Sequence, residues 1–331
     1  MYDEFSKSFD NMSFFPNELS RYRSRKDVRL LTKLNMAHTI DGIPLIAANL
    51  DYLGVEAVAR VMAEFKCFTA LHKYHTETDI VRLANTDKIA PYLIFTFGID
   101  NASKLKLDSL SQKLNFNQMN FCFDVANGYM ESFVKFIKRF KDKYPDSWVL
   151  AGNIVGGEDV LQKYDCVDCV KIGIGSGSVC ATSSVTGIKI PQYAAVKAAV
   201  NTISCSGNKL KVCSDSGCKT SGDIALAFGA GAHYVMLGGM LSGVHQDDTE
   251  KIEIDNKKYC RVYGMASKIA ADLHSSHGNY KTYEGYEKLI DYRGDLAYVL
   301  QDILGGLRST ITYCNADSLY DLRTIRQERV V

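Results

Sequence analysis

The sequence predicts a (β/α)8 barrel, and three observations predict it. Eight short apolar runs recur along the chain, segments of helical period separate them, and polar residues gather at one end of the runs. A near-continuous apolar run marks a strand buried on both faces, the condition of a parallel sheet covered by helices. Eight such units close a barrel; a doubly wound open sheet is the alternative that alternation alone leaves standing.

The runs, in order, are IPLIAAN (43–49), CFTALHK (67–73), PYLIFTFG (91–98), FCFDVAN (121–127), WVLAGNI (148–154), CVKIGIG (169–175), KVCSDSG (211–217) and YVMLGGM (234–240). Between them lie VEAVARVMAEF, TETDIVRLAN, YMESFVKFIKRFKDKYP, QYAAVKAAVNTI and SGDIALAFGA, whose apolar residues return every third or fourth position, as on one helical face. A long polar tract, about 242–293, follows the eighth run and reads as a flap, part of it mobile. DLAYVLQDILGGLRSTITY (295–313) then restores the helical period as the last barrel helix. The stretch 1–28, basic toward its end (RYRSRK), reads as a solvated arm, with subunit or cofactor contacts as its other use. No repeat, low-complexity segment or linker breaks the chain, so residues 1–331 are expected to form one domain.

Composition narrows the function classes. A formal net charge of +1 gives no reason to expect nucleic acid or a membrane surface as partner. No apolar run reaches the roughly 18 residues of a membrane span, and MYDEFSKSFD lacks the basic-then-apolar pattern of a signal peptide. A soluble, cytoplasmic protein is the expectation. Ten cysteines in a chain this long do not read as a disulfide framework. Cys67, Cys122 and Cys213 sit inside apolar runs as small hydrophobes. Cys166 and Cys169 form a C-x-x-C with no second pair at zinc spacing, which favours structural thiols over metal or redox chemistry.

The chemistry gathers where the runs end, because a barrel builds its active site from the loops at the C-terminal ends of its strands. KIGIGSGSVCATSSVTG (171–187) alternates Gly173, Gly175 and Gly177 into a loop, letting N–H groups face an anion or carbonyls face a cation. Ser178 adds a hydroxyl, and Cys180 follows outside any apolar run, where a thiolate can act as nucleophile. A tight turn with an incidental cysteine is the bland reading of the same residues. SDSG (214–217) and LGGM (237–240) end the seventh and eighth runs, the loops that bind phosphate in many barrels. The N–H groups of Ser216, Gly217, Gly238 and Gly239 are candidate donors there. Asp215 is a candidate acceptor for ribose hydroxyls, or else a helix cap or salt-bridge partner. A phosphate and ribose handle beside a cysteine suggests a nucleotide whose base is attacked.

From about Ser24 to Leu322 the chain resembles the GMP reductase and IMP dehydrogenase family. The resemblance rests on IPLIAANLD, FTALHK, DVANGY, AGNIV, KIGIGSGSVCAT, TGIKIPQ, SDSG, GDIALAFGAGA, YVMLGGMLSG, YGM, YEG and DILGGLRST. It implies that Cys180 adds to purine C2, with Thr182 and Glu284 as the proton-transfer pair. It further implies that Gly264, Met265, Ala266, Lys281 and Gly285 join the phosphate and ribose residues on the nucleotide. Ser24, Arg25, Lys73, Asp124, Val125, Ala126, Ile174, Gly175, Met265, Tyr280 and Ser309, Thr310, Ile311 and Thr312 would lie near NADPH. A K+ site at Gly175, Gly177 and Cys180 and a homotetramer follow from the resemblance alone.

The reductase branch fits better than the dehydrogenase branch. Dehydrogenases of the family usually insert paired CBS modules after the second barrel unit, and only one helix fits between Lys73 and Pro91. They also activate water with an Arg-Tyr pair on the flap, whereas the only adjacent Arg-Tyr here is Arg21-Tyr22. DVANGY, HK and STIT look like reductase features. The implied reaction is NADPH-dependent conversion of GMP to IMP and ammonia; oxidation of IMP, or nucleotide binding with weak catalysis, are the alternatives. Five departures bear on this. Ser176 stands where the family has proline, Ser216 where it has glycine and Ser183 where it has arginine, which puts the cation site in doubt. Ala266 stands for a serine and Lys281 for an arginine near the base, and both changes remove donors for guanine.

Overall fold

The computed structural model describes residues 6–274 and 282–330. All eight expected strands form: β1 (Leu45–Ala47), β2 (Phe68–Leu71), β3 (Leu93–Phe97), β4 (Asn120–Asp124), β5 (Trp148–Ile154), β6 (Cys169–Ile172), β7 (Lys211–Asp215) and β8 (Tyr234–Leu237). They pair in parallel in sequence order and close through β8 against β1, with Val235 opposite Leu45 and Leu237 opposite Ala47. Closure leaves no sheet edge, so near-uniform apolar strands carry no unpaired backbone.

Helices α1 (Glu56–Glu64), α2 (Glu77–Ala84), α3 (Asn101–Ser111), α4 (Glu131–Lys143), α5 (Glu158–Lys163), α6 (Gln192–Cys205), α7 (Ser221–Gly229) and α8 (Leu296–Cys314) follow the strands in turn. Their spacing explains their placement. α4 buries Phe133, Ile137 and Phe140, four and three residues apart, and Phe140 meets the rings of Phe121 and Phe123 edge-on at 4.9 and 4.7 Å. α2 and α7 begin with reciprocal caps, Thr76 with Asp79 and Thr220 with Asp223, each worth about 1 kcal/mol.

Outside the barrel a hairpin, Thr32–Asn35 with Thr39–Gly42, covers the strand N-termini, where Ala37 N–H donates to Asn120 at the start of β4. The solvated arm holds only in part. Phe9 and Met12 are buried, and Met12–Phe14 pairs with Gln327–Arg329 near the other end of the chain.

The tract after β8 carries more order than its polarity suggests. Glu250–Ile254, Lys257–Tyr263 and Glu287–Asp291 form a three-stranded antiparallel sheet, and the helix Lys268–Leu273 follows its second strand. Asp255 and Asn256 both take positive φ, as a two-residue hairpin turn requires. The sheet is mostly exposed on both sides, so its strands lack the apolar run that marks a barrel strand. Cys260 and Val262 alone supply its buried residues.

Candidate active site

The C-terminal ends of the strands bring many of the expected residues to one mouth. β4 ends at Asp124, β7 ends at Asp215, and the Gly173–Val179 loop leaves β6 between them. Cys180 ends this loop, partly exposed, just before the short helix Thr182–Thr186. Its thiol lies 3.3 Å from Thr182 Oγ1. The other strand cysteines are poor nucleophiles by comparison. Burial pushes the Cys67 and Cys122 thiols up to about 12, and pushes Cys169 and Cys213 well above the ordinary value. Cys169 lies within β6 and its C-x-x-C partner Cys166 just before it.

Glu284 is linked to Cys180 through backbone geometry. Ala181 N–H donates to the Glu284 carbonyl at 2.6 Å, Tyr286 N–H to Val179 at 2.9 Å, and Cys180 pairs with Gly285 in an antiparallel bridge. On the other side, Glu284 N–H donates to Ala266 and Gly264 N–H to Tyr286, at 3.0 and 3.1 Å. Three backbone stretches therefore stack: 179–181, 284–286 and 264–267. Glycine is needed at two of these places. A Cβ on Gly264 would sit 2.6 Å from the Val179 carbonyl, and one on Gly285 2.8 Å from the Ser267 nitrogen. Met265 sits on the same turn and its sulfur accepts from Asp51 N–H at 3.3 Å. Tyr280 and Lys281 lie outside the described residues.

The candidate phosphate residues also converge. The Ser178 hydroxyl lies 2.9 Å from where a Cβ on Gly239 would be. Among the described residues the N–H groups of Gly217, Gly238 and Gly239 have no hydrogen-bond partner, which suits an anion. Ser216 departs from expectation: its N–H points at the Met236 carbonyl, 3.4 Å away, so its backbone is committed to the β8 ladder.

The Ser216 hydroxyl instead meets Ser176, 2.6 Å away, so two of the five departures touch each other. Ser176 donates to Gln192 Oε1 at 3.0 Å, and Gln192 Nε2 donates to the Ile172 carbonyl at 2.6 Å. A hydroxyl has one hydrogen, so Ser216 donates to Ser176 and the chain runs in one direction. This ties the Gly173–Val179 loop to the loop after β7.

Asp215 turns out to be a salt-bridge partner as well as a residue of the mouth. Its Oδ2 accepts from Asn153 Nδ2 at 2.8 Å and lies 3.2 Å from Lys171 Nζ. Lys171 also donates to Asp124 Oδ1 at 2.7 Å, and Asn49 Nδ2 donates to Asp124 Oδ2 at 3.1 Å. Burial alone would raise the Asp124 carboxyl, but the charge and hydrogen bond of Lys171 and the Asn49 amide hold it below the usual carboxylate range. Burial alone would lower Lys171, yet Asp124 and then Asp215 lift it well above the ordinary lysine value. Sequence reading missed Lys171, Asn153, Asn49 and Gln192. A lysine inside the run CVKIGIG was the available signal, since a charge in a doubly buried strand needs a partner.

The expected cofactor residues divide into two groups. Lys73, Asp124, Val125, Ala126, Ile174 and Gly175 follow or end β2, β4 and β6 at the mouth. Lys73 Nζ lies over the Tyr74 ring at 5.2 Å and close enough to Asp124 and Asp100 to lower both carboxyls, but among the described residues no carboxylate is within ion-pair distance of it, leaving a cation available to a phosphate. Its neighbour His72 is pushed down to about 3 by burial first and then by His75, so the HK pair carries one charge at neutral pH.

Ser24, Arg25 and Ser309–Thr312 are elsewhere. The turn Arg25–Asp27 packs on α8, and the Ser24 hydroxyl caps that turn. α8 runs away from the mouth, so Ser309 lies about 20 Å along it from Leu296. Just beyond, Tyr320 donates to the carbonyl of His233 at the foot of β8. The Ile311 side chain is fully buried in the core. Thr310 and Thr312 are partly exposed on the same helix.

With the site built this far, comparison with known proteins is decisive. The IMP dehydrogenase / GMP reductase domain family matches residues 6–331. The GMP reductase of Tolumonas auensis is 37% identical over 97% of this chain and 93% of its own. GMP reductase 2 of Homo sapiens is 38% identical over 92% of this chain and 88% of its own, and GMP reductase 1 of Mus musculus 40% identical over 92% and 89%. The chain belongs to the IMP dehydrogenase / GMP reductase family.

Proposed function

We propose that this chain is an NADPH-dependent GMP reductase, acting in purine nucleotide interconversion and salvage. The observation that carries the reading is Cys180 at the barrel mouth, 3.3 Å from Thr182 and bridged by backbone to the stretch 284–286. Asp215 would hold the ribose; Ser178 and the free N–H groups of Gly217, Gly238 and Gly239 would hold the phosphate. The turn Gly264–Ala266, with Lys281 and Gly285, would face the base.

In this mechanism Cys180 Sγ bonds to C2 of guanine. Glu284, through Thr182, delivers a proton to the 2-amino group, the C2–N bond breaks, and ammonia leaves with the electron pair. Protonation makes the amine a far better leaving group, and covalent capture divides one hard displacement into two easier steps. When bound, NADPH supplies a hydride to C2. Hydride addition would turn the Cys180 thioimidate into a tetrahedral adduct, whose C2–S bond would then break so that Cys180 recovers its electron pair. In sum GMP, NADPH and two protons become IMP, NADP+ and ammonium. Lys73 and Arg25 would pair with cofactor phosphates; Tyr280 and Met265 would lie beside the cofactor. The carbonyls of Gly175, Gly177 and Cys180 are the candidate seat for K+, with Ser183 in place of an arginine.

A homotetramer belongs to the same proposal. Ser24 and Arg25 lie at a turn packed on α8, and Ser309–Thr312 lie in its C-terminal half, so a neighbouring subunit would bring them to a cofactor. A cytoplasmic enzyme is consistent with the described helices, none of which is long and apolar enough to cross a membrane.

The test is NADPH absorbance and ammonia release with purified protein and GMP. Loss of NADPH that requires GMP and yields stoichiometric ammonia supports the reductase. NAD+ reduction with IMP instead would establish the dehydrogenase reading. GMP binding without turnover would point to a binding homologue, weakened at Ala266 and Lys281.

A further inference from the structure

Lys171 lies inside β6 with 2% of its side chain exposed, flanked by Gly152 of β5 and Cys213 of β7. An unpaired ammonium at such a site would cost several kcal/mol, so one carboxylate partner is to be expected. It has two. Nζ reaches Asp124 Oδ1 at 2.7 Å and Asp215 Oδ2 at 3.2 Å, leaving the trio with a net charge of −1. Charge neutralisation needs only one of these partners, and the second carries its own desolvation cost.

The hydrogen bonds around the trio are directional. Asn49 holds the second oxygen of Asp124. Asn153 donates to the same Asp215 oxygen that Lys171 faces, and its amide also donates to the Gly173 carbonyl at 2.8 Å. Every donor that reaches Asp215 falls on Oδ2, and among the described residues Oδ1 has none. Asp215 is thus held in one rotamer with its free oxygen left for a ligand. β4 and β7 stand on either side of the β5–β6 pair, so Lys171 links carboxylates from strands that do not pair with each other.

We propose that Lys171 is a positioning residue that aims Asp124 and Asp215 together, so that one buried ammonium sets both the cofactor side and the nucleotide-ribose side of the mouth. The inference rests on the reading of the site as one for GMP and NADPH. Lys171 touches neither ligand; it acts by holding the two carboxylates at a fixed separation. The two asparagines each serve one carboxylate, Asn49 on the cofactor side and Asn153 on the ribose side, and this division of labour makes the idea testable.

The experiment is calorimetric titration of the full-length protein with GMP alone and with NADP+ alone, with melting temperature as the check on folding. Lys171→Met loses about tenfold or more in affinity for both ligands, because carboxylate hydrogen bonds to charged donors are worth that much. Lys171→Arg restores part of both. Asn153→Ala weakens GMP alone, and Asn49→Ala weakens NADP+ alone. A folded Lys171→Met protein that binds both ligands like the wild type overturns the proposal. So does equal weakening of both ligands in each asparagine variant, which would indicate general loosening. If Lys171→Met does not fold, the asparagine variants decide, and unchanged affinities in both refute the idea. A wild type that binds neither ligand sinks the functional reading itself; a wild type that binds both beside variants that also do sinks only this inference.

Discussion

The hydroxyl pair Ser176–Ser216 gives a prediction whose size follows from the structure. Ser216 takes φ +78°, a left-handed conformation that costs a non-glycine residue about 1–2 kcal/mol. It is held there while its hydroxyl donates to Ser176 at 2.6 Å, a bond worth about 1 kcal/mol net. Ser216→Gly relieves the backbone and loses the bond, so its effect on stability lies within about 1 kcal/mol of zero. Ser176→Ala loses that bond and the one to Gln192, and costs about 2 kcal/mol. In the double variant the shared bond is lost only once. Backbone relief and the Gln192 bond cancel from the cycle, leaving a coupling of about 1 kcal/mol. Urea unfolding followed by circular dichroism measures it. Additivity within about 0.3 kcal/mol would refute the bond and the claim that the Gly173–Val179 loop is tied to the loop after β7.

Two further predictions concern the tract after β8 and the barrel foot. Gly285→Ala places a methyl 2.8 Å from the Ser267 nitrogen and 3.2 Å from the Gly264 Cα, so the stretch 284–286 must separate from the turn beside it. Displacement of this order should lower kcat/KM for GMP by about 100-fold with little change in Tm; unchanged activity would show that the stack does not position Glu284. His233 is pushed down to about 4 by burial first, then by Lys211 and Arg323, and its Nδ1 accepts from Val212 N–H at 3.1 Å. The unfolded chain binds this proton below about pH 6.5 and the folded chain only near pH 4, so stability falls as pH drops through that window, by up to about 3 kcal/mol. His233→Asn keeps an acceptor without the proton site, and its unfolding free energy should fall less between pH 6.5 and 4. An identical acid slope in the variant would contradict the assignment.

The barrel was legible because its physics is local. Doubly buried strands must be apolar along their length, and α4 shows its buried face as Phe133, Ile137 and Phe140 at helical spacing. Cys180 stood out as a candidate nucleophile because it sits in a glycine-rich loop rather than in a run. Glu284 and Thr182 carry no such mark; residue type and spacing leave Glu284 one more acid in a polar tract, and only family resemblance picked it out. The exposed sheet Glu250–Ile254 to Glu287–Asp291 was missed because its strands bury few side chains, although Asp255-Asn256 is a recognisable hairpin turn. The Lys171 trio was missed for another reason. Its members come from β4, β6 and β7, and only the lateral pairing of these strands through β5 brings them together, at 2.7 and 3.2 Å from Lys171 Nζ. The pairing of Ser176 with Ser216 is non-local in the same way: two changes forty positions apart become one interaction.

Covalent attack by Cys180 is the central claim, and peptide mass analysis of acid-quenched enzyme tests it most directly. Protein quenched during turnover of GMP with NADPH should carry a purine-nucleotide adduct on the peptide containing Cys180. Cys180→Ala should show neither adduct nor turnover, with GMP binding retained. Sustained turnover by Cys180→Ala, or an adduct on another residue, would contradict the account.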